Sequence, residues 1–300
     1  MNFPIRTYSI WKQFRGTTVL EDLCLNVPEG SIYGLVGPSG AGKTTAIKLL
    51  MNILRPSAGW SEVFGVNSHR LSPREFAQIG YVSENQEIPD WMTVGYFLKY
   101  WRPFYPTWDG DLAEELSRQF QLPLNRKLRH LSRGMCIKAA LASSLAYRPK
   151  LMILDEPFTG LDALVRDELI AGFLPRAENS TILISSHDLA EIETFASHIG
   201  YLEHGRLQFS EDLDTLRERF REIVLTFPSA PVMPAEWPAN WLGVEAAGSM
   251  IRFVDARFSE ERTAETVRHV FPDVREIGVN GMPLRSIFVT LAKAGRPAAA

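Results

Sequence analysis

Only two cysteines, Cys24 and Cys136, occur in 300 residues, and they stand in unrelated contexts. Two isolated thiols make neither a disulfide framework nor a metal knuckle, and they read as small buried hydrophobes. No apolar run approaches the roughly 18 residues that a membrane-crossing helix needs. Arg6 and Lys12 near the start are followed by no apolar stretch, so no secretory signal is expected. An excess of positive charge is missing too. Lys and Arg total 32 against 35 Asp and Glu, a formal net charge of −3. Duplex binding rests largely on neutralising phosphates with Lys and Arg, so nucleic acid is not expected as a partner. His69, His130, His198, His204 and His269 are scattered without metal-ligand spacing, and there is no internal repeat. What remains, 45% hydrophobic and 22% charged, is an ordinary globular composition. The length suits one large domain or a core domain with an appendage. Such a chain is expected to stay in the cytoplasm and to act on a membrane only from outside the bilayer.

The pattern along the chain alternates strands and helices, an α/β class. Ile5 to Trp11 and Val19 to Val27 read as strands, and Ser31 to Val36 as a short apolar strand running into a glycine-rich segment. Ala46, Ile47, Leu49, Leu50 and Ile53 then recur at helical spacing until Pro56. A β segment near Trp60 to Phe64 and a strand at Ile79 to Val82 precede a helical region of about 87–147. Leu151 to Leu154 and Thr181 to Ser185 are continuous apolar runs, as strands buried on both faces of a parallel sheet require. Short strands at Ile199 to Leu202 and Arg206 to Phe209 and a helix from Glu211 to about Phe220 close this core, 1–220. Beyond it, 221–300 opens with clustered prolines and reads as a small α+β appendage, with alternating segments at Ile251 to Val254 and Ile287 to Leu291 and a frayed tail from Gly295.

Gly37-Pro38-Ser39-Gly40-Ala41-Gly42-Lys43-Thr44 fits a phosphate-binding loop at every fixed position, with Thr45 following in the helix. The glycines aim backbone N–H groups at phosphate oxygens, and the helix adds its positive end. Lys43 can reach the β and γ phosphates, and the Thr44 hydroxyl can ligate Mg²⁺. A tight turn would explain the glycines alone, but not the strand before, the helix after and the Lys-Thr pair. Leu151 to Leu154 ends in Asp155 and Glu156, where one acid can hold Mg²⁺ through water and the second can polarise an attacking water.

Upstream lies Leu131-Ser132-Arg133-Gly134-Met135, and downstream lie Gly160-Leu161-Asp162 and Ser185-Ser186-His187-Asp188. This ordered set resembles the ATP-binding domain of ABC transporters: phosphate loop, signature motif, acidic strand, D-loop and switch histidine. The resemblance covers roughly residues 5 to 220. It implies a P-loop NTPase fold with an antiparallel β subdomain and a helical subdomain, and ATP and Mg²⁺ as cofactors. It also implies two such domains, in a homodimer or a heterodimer, with each ATP between one subunit's phosphate loop and the other's signature motif. Ser132 and Gly134 would then contact the nucleotide on the facing subunit, Asp162 would couple the two sites, and His187 would help position the water activated by Glu156. Phe14 matches the aromatic that stacks on adenine.

Three departures stand out. Arg133 and Met135 replace the first glycine and the glutamine of the usual signature, although Ser132 and Gly134 remain. Glu84 stands where a glutamine commonly binds Mg²⁺, and Gln86 is the alternative at that position. A carboxylate still suits Mg²⁺, but it adds a third negative charge near Asp155 and Glu156. A single ATP-binding domain without membrane spans resembles the separate ATPase subunits of bacterial exporters, which sit on the cytoplasmic side of the membrane against a transmembrane permease chain. The Leu-Ser-x-Gly-Met form and the segments Trp91 to Val94, Phe104 to Asp109 and Leu284 to Leu291 resemble that branch. A soluble ABC ATPase in assembly or repair, without a permease, is the alternative, as is a regulatory protein that binds ATP without turnover. Among the aromatics after Glu84, Phe97, Trp101 and Phe104 are expected in the core of the helical subdomain. Two or three of Trp91, Tyr96, Tyr100 and Tyr105 are expected to line an exposed groove for the permease.

Overall fold

The computed structural model describes residues 2–84 and 86–294, in two compact units, 1–210 and 211–300. The expected tail from Gly295 lies outside the described residues.

In the first unit β1 (Ile5–Phe14), β2 (Thr17–Leu23) and β3 (Asn26–Val27) lead to β4 (Ile32–Val36) and, after the glycine-rich loop, α1 (Lys43–Leu50). Next come β5 (Ala58–Val63), β6 (Val66–Asn67), the single-turn α2 (Pro73–Phe76) and β7 (Ile79–Ser83). Then follow α3 (Val94–Trp101), α4 (Gly110–Gln119) and α5 (Arg133–Leu145), and after them β8 (Leu151–Asp155), α6 (Ala163–Phe173), β9 (Thr181–Ser186), β10 (His198–Glu203) and β11 (Arg206–Asp212).

One sheet runs β2-β1-β5-β6, with β3 also on β1, and its named pairings are antiparallel. The other runs β11-β10-β4-β9-β8-β7, and from β10 to β7 its strands are parallel. Every residue of β8 and β9 is buried, as their unbroken apolar runs demand. Leu20, Leu23 and Val27 from the first sheet meet Tyr33, Leu35, Ile153 and Leu183 from the second, together with Ile47 and Leu50 of α1, in one core. α3 and α4 pack on α5 in the helical region. Phe97 is buried at its centre, whereas Phe104 is exposed, against the expectation that it fills the core. Three consecutive positions, Arg102 to Phe104, form a 3₁₀ turn after α3 that carries Phe104 outward.

The second unit consists of α7 (Leu213–Arg219), β12 (Arg221–Thr226), β13 (Trp241–Ala247), β14 (Met250–Asp255), α8 (Glu260–Val270), β15 (Glu276–Gly281) and α9 (Leu284–Ala294). Its antiparallel sheet has the order β13-β14-β12-β15. Ile223, Leu225, Ile251 and Phe253 of the sheet, Trp241, Val267 and Phe271 form its own core, with Trp241 stacked on Phe253 at 4.0 Å. The segment expected to alternate at Ile287 to Leu291 is a helix. Its buried residues, Leu284, Ile287 and Phe288, follow a spacing of three and four.

Candidate functional site

Gly37 closes β4, where its N–H donates to the Ser186 carbonyl at 3.3 Å. A β-carbon at Gly37 would lie 1.9 Å from the Leu202 carbonyl oxygen, so the parallel neighbour strand permits glycine alone. At the other end of the loop Gly42 caps α1 with φ +107, and a β-carbon there would meet Leu20 at 2.6 Å. Between them the Ala41 N–H donates to the Pro38 carbonyl at 3.1 Å. The first N–H groups of α1 have no partner one turn back, and with the helix dipole they favour an anion at this end.

Lys43 is 4% exposed, and its ammonium donates to the carbonyls of Gly37 (2.7 Å) and Pro38 (3.2 Å). It also pairs with Glu156 Oε1 at 3.1 Å. Glu156 leaves β8 with φ +51, its N–H donating to Ser185 Oγ at 3.0 Å. Its Oε2 accepts from Thr159 Oγ1 at 3.0 Å and lies 2.7 Å from His187 Nδ1. Asp155, at the end of β8, is buried, and its Oδ1 accepts from Ser185 Oγ (2.8 Å) and Thr44 Oγ1 (3.0 Å).

Burial raises the Asp155 pKa, against the hydrogen bonds from Ser185 and Thr44 that lower it, so this carboxylate is short of positive charge. Burial also pushes Glu156 upward, but hydrogen bonds from His187 and Lys43 outweigh it and hold the group below the usual carboxylate value. His187 moves the other way, raised by its hydrogen bond to Glu156 against the effect of burial. A hydroxyl and a carboxylate meeting beside a cationic loop fit the donor set of Mg²⁺, which takes one or two protein carboxylates, waters and phosphate oxygens. Thr44 and Asp155, with Glu84 on the same cleft, are the residues that could hold it.

One cleft of about 570 Å³ is lined by Ser39, Gly40, Gly42, Lys43, Thr44, Thr45, Glu84, Glu156 and His187, with Val19 and Thr159 beside them. Gln86 is not among its walls, whereas Glu84 is. Asp155 stands behind Thr44. Phe14 is exposed at the end of β1, with the Lys12 ammonium 4.7 Å from its ring centroid. Ser132 caps α5 by accepting the Met135 N–H at 3.3 Å, and Asp162 caps α6 by accepting the Val165 N–H at 2.9 Å. Gly134 lies against α6, since a β-carbon there would come 2.9 Å from Val165 Cγ1. Phe14, Ser132, Gly134 and Asp162 do not line the cleft. Ser185 and Thr159 orient the two acids. Ser185 stands in the switch motif without a role assigned from sequence, and Thr159 escaped the sequence reading because a single hydroxyl beside a motif carries no spacing signal.

A phosphate loop feeding a helix, flanked by a strand that ends in two acids, defines a P-loop nucleoside triphosphatase. The ABC transporter family model matches residues 20–159. The ABC transporter ATP-binding protein YtrB of Bacillus subtilis is 35% identical over 281 residues, covering 93% of this chain and 94% of that protein. The bacitracin transport ATP-binding protein BcrA of Enterococcus faecalis is 33% identical over 233 residues, 74% of this chain and 73% of that one. A solved ATP-binding subunit of an ABC transporter, 27% identical, covers 72% of this chain and 92% of that chain with a TM-score of 0.65. A dimeric ATP-binding cassette with ADP and Pi, 22% identical, covers 70% of this chain and 98% of that one at a TM-score of 0.61. The chain belongs to the ABC transporter family as an ATP-binding subunit with the ATPase fold of that family.

Proposed function

We propose that this chain is the peripheral ATPase subunit of an exporter, on the cytoplasmic side of the membrane, whose permease is a separate chain. Two ATP-binding subunits, identical or different, close head to tail around two ATP molecules. The observation that carries this reading is a division of labour. The cleft holds loop glycines, Lys43, Glu156 and His187 to bind phosphates and activate water, while Ser132, Gly134 and Asp162 stand outside it, where they would serve a facing subunit's site. The similar cassette solved with ADP and Pi is a dimer. Export is the part of this reading supported by the exporter-like motif forms, and BcrA, a bacitracin transport protein, supports transport itself.

In this mechanism Lys43 leaves Glu156 for the β and γ phosphates, which the loop N–H groups of Gly40 and Gly42 cradle and Phe14 supports at the adenine. Thr44, Asp155 and Glu84 would hold Mg²⁺, which would supply neutralising charge for the phosphates. Glu156, released from Lys43, accepts a proton from the attacking water. His187 keeps the Glu156 carboxylate aimed and hydrogen-bonds the γ-phosphate.

Mixing variants tests the head-to-tail arrangement. Ser132→Arg is expected to abolish turnover while leaving ATP affinity of the isolated chain nearly unchanged. Mixed with Lys43→Ala chains it recovers part of the activity, because one composite site is then intact. Loss of ATP binding by isolated Ser132→Arg chains would show that Ser132 serves its own cleft. Co-purification of the chain from detergent-solubilised membranes with a polytopic protein tests the permease.

A further inference from the structure

Two of the three unusual residues of the motifs meet. Arg133 Nη2 is ion-paired with Glu84 Oε1, although they stand on separate segments of the chain. Arg133 is the first residue of α5, directly after the Ser132 cap. Glu84 follows β7, and its N–H donates to the Asp155 carbonyl at 3.0 Å. The guanidinium also lies across the D-loop, since a β-carbon at Gly160 would be 3.2 Å from Arg133 Nη1. One side chain thus touches the loop after β7 and the loop after β8 from the start of α5.

Only one end of this pair reaches the nucleotide cleft. Glu84 lines it with Lys43, Thr44 and Glu156, and Arg133 does not. Arg133 supplies the counter-charge for the third carboxylate that Glu84 adds to this region. The side chains are 42% and 23% exposed, so the pair is weak enough to open. The Glu84 carboxylate therefore has two competing claims on it: the guanidinium, and the cation that accompanies a triphosphate in the cleft.

We propose that the Arg133–Glu84 pair is an intrachain switch linking the nucleotide cleft to the signature loop. Arg133 acts as a positioning residue that withholds Glu84 from a magnesium-bound nucleotide, and filling the cleft draws Glu84 away and frees the guanidinium beside Ser132. Coupling of this kind is reciprocal: whatever the nucleotide takes from the pair, the pair takes from the affinity for magnesium-nucleotide. The proposal rests on the reading of Glu84 as a magnesium-proximal residue in an ATP cleft.

The test uses the full chain carrying Glu156→Gln, so that bound ATP is not consumed. Displacement of a fluorescent ATP analogue gives ATP affinity with Mg²⁺ and with EDTA, and the readout is the ratio of the two within each variant. That ratio cancels damage common to both conditions. Arg133→Gln is expected to raise the ratio about two- to fivefold, the range of a partly exposed pair. Arg133→Lys restores most of the original value, and Arg133→Gln adds nothing once Glu84 is Gln. An unchanged ratio in Arg133→Gln, or the same rise in the Glu84→Gln background, overturns the switch. A Glu156→Gln reference that binds ATP equally well with and without magnesium overturns instead the functional reading on which the switch rests.

Discussion

At φ +51, Glu156 occupies the left-handed region, where a residue with a β-carbon sits at a cost of roughly 1–2 kcal/mol. Ser185 and the end of β8 hold its backbone there, and Lys43, Thr159 and His187 fix its carboxylate. Strain kept by so many partners is what a positioned base needs, and Glu156→Gln is expected to lower turnover by about 10²- to 10⁴-fold while ATP binding persists. Turnover near wild type would remove Glu156 from that role. The same residue sets a pH dependence in the chain without nucleotide or magnesium. His187 is raised by its contact with Glu156, so its contribution to stability is complete below the ordinary histidine value near 6.5 and fades as pH rises through the folded-state value. Glu156 is lowered, so its contribution is complete above 4.5 and fades as pH falls through its folded-state value. The stability difference between wild type and Glu156→Gln is thus expected to peak between these limits. On the alkaline side it should settle to the part that Lys43 carries. Denaturation at a series of pH values checks this, and a difference that stays flat across the histidine's titration would refute the His187 part.

The elements around the phosphate loop were legible because their sequence constraints are local and severe. Leu151 to Leu154 has no polar residue to spare, and the glycines, Lys43 and Thr44 admit few substitutes. The second unit was less legible. α8 buries only Thr263 and Val267, β15 buries nothing fully, and Ile287, Val289 and Leu291 alternate within a helix whose inward face is Leu284, Ile287 and Phe288. A short apolar segment with both periods is decided by packing, not by its own pattern. Glu84 and Arg133 could be recognised as departures, but their pairing is a tertiary fact. Glycine roles separate in the same way. Gly37→Ala drives a β-carbon into the Leu202 carbonyl of β10, which cannot swing aside, and is expected to cost about 1–3 kcal/mol of stability as overpacking does, together with ATP binding. Gly40→Ala meets nothing within 4 Å and carries only the strain of φ +82, about 1 kcal/mol. Chemical denaturation of both variants compares them, and a Gly37→Ala loss no larger than that of Gly40→Ala would show that β10 yields to the loop.

Among the described residues no helix is long and apolar enough to cross a membrane, so the proposed coupling to transport must pass through a surface. Trp91, Tyr96, Tyr100 and Phe104 are 58%, 51%, 41% and 58% exposed. Tyr96, Tyr100 and Phe104 recur at a spacing of four along and just beyond α3, and Trp91 lies 5.9 Å from Tyr96 between ring centroids. Water-facing aromatics in a row forgo burial, and they make strong anchors for a partner because each covers a large area with few rotatable bonds. Phe97, turned about 100° around α3 from Tyr96, is buried. Tyr105, one of the four candidates for the groove, stacks on Tyr147 at 3.7 Å and belongs to the packing of the subdomain. Alanine at Tyr96 or Tyr100 is therefore expected to weaken association with permease-containing membranes by about 2 kcal/mol, roughly 30-fold, while ATP hydrolysis by the isolated chain persists. Phe97→Ala serves as the contrast, losing about 3–5 kcal/mol of stability through its cavity. Sedimentation with membranes, read beside thermal denaturation and ATPase rate, separates the cases: if the Tyr96 and Tyr100 variants lose stability as Phe97→Ala does, the row is packing and the docking surface lies elsewhere.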